Sequence, residues 1–371
     1  MTAPIDAIVI GAGPAGLAAS HALMRHGIQH TVLERGPHAG HTWANLYDSL
    51  VLHTGRHLSA LPGLTFRAGT PLFPSRLDFL DYLTTYATTF RLPVETNVEV
   101  TRVSRANGHW IIHPSHGTPR EARSVIFATG IVANPYTPEL PGLNEFRGRV
   151  MHSVAYRRPD DARGDRVLVA GTGNSAGEIA AELAAQGRAV TLSVRSGATI
   201  VPRDVFGVPV HYLAVALSPL PQAAQRFAAR RVSALAGLVR GKSPLPPAAA
   251  TPCPKIPIIG LHLSDAIRAG RVELRPGLTG FAGDEVCFSD GSRGAFDAVI
   301  LATGYRAALG PIRDLIHLDE CGFARRQDRV TSADQPGLFF VGHTYKMSGA
   351  IFNIGRDARR AADAVRTYLA T

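Results

Sequence analysis

IDAIVIGAGPAGLAASHALMRHGIQHTVLERG, Ile5 to Gly36, decides the fold. Its apolar run Ile5 to Ile10 has strand length and passes directly into Gly11-x-Gly13-x-x-Gly16. An Ala/Leu-rich helical pattern follows from Pro14 to about Arg25, then a second strand, Thr31 to Leu33, that ends in Glu34. Strand, tight turn, helix and acid in that order form a dinucleotide-binding unit. Glycines let backbone approach a pyrophosphate, the helix amino terminus donates N–H groups to it, and the acid accepts from ribose hydroxyls. The expected contacts are Gly11, Gly13, Pro14, Ala15, Gly16, Glu34 and Arg35.

Further along, RVLVAGTGNSAGEIAAELAAQGRAVTLSVRS (Arg166 to Ser196) repeats the device. Arg166 to Ala170 reads as strand, Gly171-x-Gly173-x-x-Ala176 as the turn, Ser175 to Ala185 as helix and Ala189 to Val194 as the second strand. Gly171, Gly173, Asn174 and Ser175 are the expected contacts. Where the first unit has Glu34, this one has Arg195 followed by Ser196, and a cation there suits a ribose 2′-phosphate. The second unit is therefore expected to prefer NADPH to NADH.

SVIFATG (Ser124 to Gly130) and AVILATG (Ala298 to Gly304) also repeat each other. Each reads as a buried strand ending in small residues, Ala128-Thr129-Gly130 and Ala302-Thr303-Gly304, past which backbone or cofactor can run closely. The expected organisation is α/β, with two Rossmann-like, three-layer ββα domains and the second inserted into a discontinuous first. The first domain spans 1–158, the inserted one 159–297, and the return 298–371, including GLFFVGH (Gly337 to His343) and a helix from about Asn353 to Leu369.

Composition agrees with two domains: 371 residues, 45% apolar and 18% charged, enough to bury sizeable cores. No basic n-region precedes Ile5, and no apolar run nears the ~20 residues that span a bilayer; a cytoplasmic enzyme is expected. The three cysteines, Cys253, Cys287 and Cys321, offer no Cys-x-x-Cys redox or zinc pair, and no HExxH or clustered Cys/His predicts a metal. Net charge is +10, with arginine runs at Arg226/Arg230/Arg231, Arg325/Arg326/Arg329 and Arg356/Arg359/Arg360. None is interleaved with aromatics, so solvated faces or an anionic small ligand are expected, not nucleic acid.

Four stretches together resemble class B flavin-containing monooxygenases, most of all the compact YUCCA-type branch. They are GAGPAG at Gly11, FRGRVMHSVAY at Phe146 to Tyr156, GTGNSAGEIA at Gly171 and LATGY at Leu301 to Tyr305. The likeness extends through His41 to Leu64, Val194 to Gly207 and GLFFVGH. It implies FAD on the first unit and NADPH on the second, with Phe146 to Tyr156 as the linker between them. It also implies the chemistry: NADPH reduces FAD, O₂ adds to give a C4a-(hydro)peroxyflavin, and one oxygen atom goes to a small organic substrate. Trp43 is implied beside the flavin. His53, where larger members have Asn, is the candidate catalytic side chain there. Val98, Tyr305 and Gly342 complete the expected cofactor contacts, while no role for His152 follows from sequence.

Substrate chemistry stays open among S- or N-oxygenation, Baeyer–Villiger insertion and oxidative decarboxylation of a 2-oxo acid. The competing reading is an NADPH-driven flavoprotein reductase or oxidase of the ferredoxin- or thioredoxin-reductase kind. Against it stand the missing Cys-x-x-Cys and the His343 that follows Gly342 where disulfide reductases carry Asp. Residues 207–257 read as a helical insertion that turns basic and then Pro/Ala-rich, a lid or a membrane-docking face. A homodimer is one expected assembly.

Overall fold

The computed structural model describes residues 4–205, 207–221, 242–249, 253, 256–344 and 349–371. Two compact units emerge: Met1–Asn45, Leu50–Asn134 and Arg306–Thr371 form the first, and Leu46–Ser49 with Pro135–Tyr305 form the second. Both are dinucleotide-binding domains, and the second is inserted into the chain of the first.

The first unit opens with β1 (Ile5–Ile10) and α1 (Pro14–Arg25), whose Pro14 occupies the first helical turn, where a missing N–H costs nothing. Next come β2 (His30–Leu33), the helical turns α2 (His41–Ala44) and α3 (Arg56–Ser59), and α4 (Arg76–Thr89), which starts on a Ser75/Asp78 capping box. Then follow β3 (Val94–Glu95), β4 (Val100–Ala106), β5 (His109–Pro114) and β6 (Arg120–Phe127). The sheet runs β3-β2-β1-β6-β5-β4. Its β1, β2 and β3 are parallel, whereas β4, β5 and the start of β6 form an antiparallel meander.

Within the second unit, β7 (Arg149–His152), β8 (Arg166–Ala170), α5 (Asn174–Ala185) and β9 (Ala189–Val194) lead into short pieces. These are β10 (Ile200–Val201), β11 (Asp204–Val205), β12 (Val208–Pro209), α6 (Val210–Leu217), β13 (Ile258–Ile259) and α7 (His262–Arg268). After β14 (Val272–Pro276), the hairpin strands β15 (Leu278–Ala282), β16 (Glu285–Phe288) and β17 (Arg293–Ala295) form their own antiparallel sheet before β18 (Ala298–Leu301). The main sheet, β14-β9-β8-β18-β7, is parallel throughout. Of the expected insertion, α6 is helical as read; residues 222–241, with Arg226, Arg230 and Arg231, lie outside the described residues.

On the return to the first unit, β19 (Leu338–Phe340) pairs in parallel with the end of β6, Leu338 opposite Val125. The final helix, α8 (Ala350–Leu369), lays Ile351, Ile354, Ala358, Ala361, Ala362 and Val365 into the core shared with α1. That spacing is one helical stripe. Alternation sends Val9, Ile126 and Phe339 to this core and Ile8, Phe127 and Phe340 to the opposite one, so the sheet is buried on both faces. No described helix is long and apolar enough to cross a membrane.

The units divide at Asn134/Pro135 and Tyr305/Arg306, not at the expected 158/159 and 297/298. The reason is hydrogen bonding: β18 pairs with both β8 and β7. The stretch expected to be a linker thus supplies an edge strand of the second sheet.

Candidate functional sites at the two glycine turns

In the first turn the glycines serve different ends. Gly11 has φ +100°, and a Cβ there would meet the Ala128 carbonyl oxygen at 2.9 Å. Gly16 lets α1 pack onto the turn, since a Cβ on it would stand 1.7 Å from the Gly11 oxygen. At Gly13 a Cβ would meet nothing within 4 Å, so this glycine leaves space beside the helix amino terminus where a phosphate needs close backbone. Glu34, buried at the end of β2, accepts from the Ala12 N–H at 2.7 Å and the Gly36 N–H at 2.8 Å. Each oxygen keeps a lone pair for a further donor. The Val98 N–H bonds the Glu34 carbonyl at 2.8 Å, and Arg35 is exposed beside it.

A matching arrangement occurs in the second unit. Gly171 has φ +136° and would carry a Cβ into the Ala302 carbonyl oxygen at 2.2 Å, while Gly173 again faces open space. This explains the repeated Ala-Thr-Gly segments: each delivers an alanine carbonyl against the first glycine of a turn. Gly130 and Gly304 leave the strands in the left-handed region, φ +64° and +89°. Thr129 donates to the Ala308 carbonyl and Thr303 to that of Tyr136, fixing each strand end. Asn174 holds β13 on both sides, donating to the Pro257 carbonyl and accepting from the Ile259 N–H at 2.7 Å. Arg195 is exposed just past β9 and makes no ion pair with a described residue; Ser196 is half-buried beside it.

The spacing Phe-x-Gly-x-x-x-His-x-x-x-Tyr now has a physical account. Phe146 packs on Phe281 at 4.9 Å between centroids, and its ring lies where a Cβ on Gly148 would be, 2.4 Å away. His152 accepts from the Val154 N–H at Nδ1, so its Nε2 carries the proton donated to the Gly304 carbonyl, 3.0 Å away. Burial holds this imidazole below its ordinary pKa, as suits a neutral tie to the end of β18. Tyr156 is fully buried and donates to Glu182 at 2.7 Å.

One turn earlier on α5, Glu178 accepts from the hydroxyl of buried Tyr47. Burial is the main force pushing the Glu178 carboxyl up to about 7, with Tyr47 and Arg203 opposing and Glu182 adding to the rise. Burial and Glu178 likewise raise Tyr47. Sequence reading missed Glu178, Glu182 and Tyr47. The signal it had was two acids four residues apart on an otherwise Ala-rich helix.

Other expected residues lie as follows. Trp43 is half-buried and packs edge-on against Phe79 at 4.5 Å, part of the first unit's core wall. His53 is half-buried in the loop after the Val51–Ser75 bridge. Tyr305 meets the His152 ring edge-on at 5.1 Å. Gly342, φ +87°, sits with its Cβ position 3.0 Å from Ala15. Next to it His343 is 2% exposed between the Phe323 and Phe340 rings. Neither of its ring nitrogens has a hydrogen-bond partner among the described residues, and burial lowers its pKa to about 3. An open cradle at Gly13, an acid with spare lone pairs and an unsatisfied buried imidazole fit a polar cofactor on the first unit; the cradle at Gly173 fits a second nucleotide.

A protein-family model described as pyridine nucleotide-disulphide oxidoreductase matches residues 8–204. Indole-3-pyruvate monooxygenase YUCCA1 of Oryza sativa subsp. japonica is 33% identical, covering 95% of this chain and 90% of its own. The flavin-containing monooxygenase of Stenotrophomonas maltophilia superposes with TM-score 0.79 at 26% identity, covering 99% of this chain and all of its own. Cyclohexanone monooxygenase of Rhodococcus sp. Phi1, solved with NADP⁺ bound, shares the fold at TM-score 0.73 and 21% identity, covering 98% of this chain and 85% of its own. With duplicated turns, a matching family model and relatives spanning nearly its whole length, the chain belongs to the class B flavin-containing monooxygenases, is most like their YUCCA-type branch, and is a flavin-dependent monooxygenase.

Proposed function

We propose that the protein is an FAD- and NADPH-dependent monooxygenase that works through a C4a-(hydro)peroxyflavin on a small organic substrate. FAD is assigned to the turn at Gly11–Gly16 and NADPH to the turn at Gly171–Ala176. The observation that carries this reading is the contrast at the two strand ends. Both turns leave open space where a Cβ would point, at Gly13 and Gly173, but the first ends in buried Glu34 and the second in exposed Arg195. A carboxylate accepts from ribose hydroxyls; a guanidinium forks onto a 2′-phosphate.

Bound FAD supplies the redox and oxygen chemistry. The protein's share is to bind, orient and exclude water. Gly11, Gly13, Pro14, Ala15 and Gly16 offer backbone to the FAD pyrophosphate, with Glu34, Arg35 and Val98 at the ribose and adenine end. Trp43, His53, Ala128, Thr129, Gly130 and Gly342 are assigned to the rest of the flavin. On the second unit, Gly171, Gly173, Asn174 and Ser175 offer donors to the nicotinamide nucleotide, Arg195 and Ser196 take its 2′-phosphate, and Ala302, Thr303, Gly304 and Tyr305 border it. The name of the rice relative, an indole-3-pyruvate monooxygenase, favours a 2-oxo acid among the three substrate classes. A homodimer remains the proposed assembly.

The test is anaerobic reduction of the flavin-loaded protein with NADPH, followed by stopped-flow mixing with O₂. The expected result is an absorbance band between those of reduced and oxidised flavin that persists for seconds and is discharged faster by an aromatic 2-oxo acid than by a ketone or thioether. Direct return to oxidised flavin with stoichiometric H₂O₂, unchanged by any of the three, would establish the reductase or oxidase reading instead.

A further inference from the structure

Two phenols from distant parts of the chain meet the acids of α5. Tyr47, from the short segment Leu46–Ser49, donates to Glu178 in the second turn. Tyr156 bonds Glu182 at 2.7 Å, one turn further on. Ser175 belongs to the amino-terminal turn whose free N–H groups face the Gly173 opening. A buried phenol therefore holds a carboxyl about 6 Å down the helix axis from the nucleotide turn, at 1.5 Å per residue.

A carboxylate so near a helix amino terminus works against anion binding there, because its charge offsets the positive end of the helix. The same group protonated does not. We infer that Tyr47 and Glu178 are positioning residues of the second nucleotide site, and that binding the nucleotide's phosphates at the Gly173 turn takes up one proton onto the Glu178 carboxyl. The inference rests on NADPH lying at that turn. Arg203 and Tyr47 face Glu178 and favour its ionised form, Glu182 on the same helix disfavours it, and burial disfavours it most. Tyr305 and Ser175 face Tyr47 in turn. The proton is thus poised to be gained or lost near neutrality, and phosphates arriving at the helix end would add to the forces that keep it.

The experiment is calorimetric titration of the flavin-loaded protein with NADP⁺ at pH 6 to 8.5, in buffers of different ionisation enthalpy, for wild type, Glu178→Gln and Tyr47→Phe. The 2′-phosphate of the ligand titrates equally in all three, so differences report the protein. Wild type is expected to bind with up to one proton taken up above pH 7, and to lose about 5- to 20-fold more affinity across the range than Glu178→Gln. Glu178→Gln, isosteric and still able to accept from Tyr47, should bind without that uptake. Tyr47→Phe, which removes the hydrogen bond that favours the ionised form, should move the uptake to higher pH. Equal proton uptake and equal pH dependence in wild type and Glu178→Gln would overturn the inference while leaving the nucleotide site standing. Failure of wild type to bind NADP⁺ would overturn both.

Discussion

In the first unit, α1 lies so close to its turn that a Cβ on Gly16 would stand 1.7 Å from the Gly11 oxygen; in the second, Ala176 holds the same place with a Cβ and is fully buried. The first turn's acid is at the strand end, Glu34, accepting from the backbone of the glycine turn at Ala12 and of its own loop at Gly36. The second turn's acid is inside the helix, Glu178, bonded to a phenol 131 residues away in sequence. Shared backbone with displaced charge means that, on the proposed assignment, the two turns would be alike toward phosphate and unlike toward ribose. What the comparison teaches is that the two units share the glycine geometry of their turns and differ in where they place charge, at a strand end in one and inside a helix in the other.

The largest expected effect breaks the comparison at the third glycine position. Gly16→Ala forces a methyl into backbone oxygen and should cost several kcal/mol, enough to prevent accumulation of a folded first unit. Ala176→Gly should cost about 1–2 kcal/mol, from helix propensity and a lost buried methyl. Urea unfolding of the pair checks this, and equal costs would mean the two helices sit equally close. Gly13→Val offers the control: its side chain enters open space, so it should fold yet purify colourless.

How much of this was legible before the structure depends on the range of the contact. Strand, turn and helix at Ile5–Arg25 and Arg166–Ala185 could be read because glycine spacing and apolar periodicity are local. The acid and the arginine at the strand ends could be read for the same reason. Unit boundaries could not. A run such as Arg149–His152 announces a strand but not its partner, and β7 joins a sheet whose central strand comes later in the chain. Nor could the Tyr47–Glu178 pair be read, since no local pattern links a loop tyrosine to a helix formed so much later. In the Phe146–Tyr156 stretch the spacing was visible and its cause was not: one ring over a glycine, one imidazole on a strand-end carbonyl, one phenol on a helix acid.

A smaller effect sharpens the contrast between Glu34 and Arg195. Arg195→Ala should raise the KM for NADPH roughly 10- to 100-fold, the equivalent of losing ~1.4–3 kcal/mol of charged hydrogen bonding, with NADH little changed. Steady-state flavin reduction by each nucleotide measures it. Equal loss with both would remove Arg195 from the 2′-phosphate site.

The smallest effect is one the wild type conceals, because each unit buries a titratable group and the two pull in opposite directions. Glu178, at about 7 against an ordinary 4.5, holds a proton in the folded state that the unfolded chain has released. Its contribution is therefore fully present below pH 4.5 and declines as pH rises to 7. His343, at about 3 against 6.5, refuses a proton that the unfolded chain accepts, so its contribution is present above pH 6.5 and declines as pH falls to 3. Between pH 4.5 and 6.5 the slopes oppose, each about 1.4 kcal/mol per pH unit, and wild-type stability should be nearly flat. Glu178→Gln should expose the histidine alone, giving stability that rises with pH across this interval. His343→Leu should expose the glutamate, giving stability that falls. Denaturant unfolding of the three proteins at pH 4.5, 5.5 and 6.5, with FAD saturating, reads both slopes. Parallel curves for all three would show that neither group keeps its buried protonation state, and with that the contrast between an acid in the second unit's helix and an imidazole at the first unit's strand end would lose its energetic content.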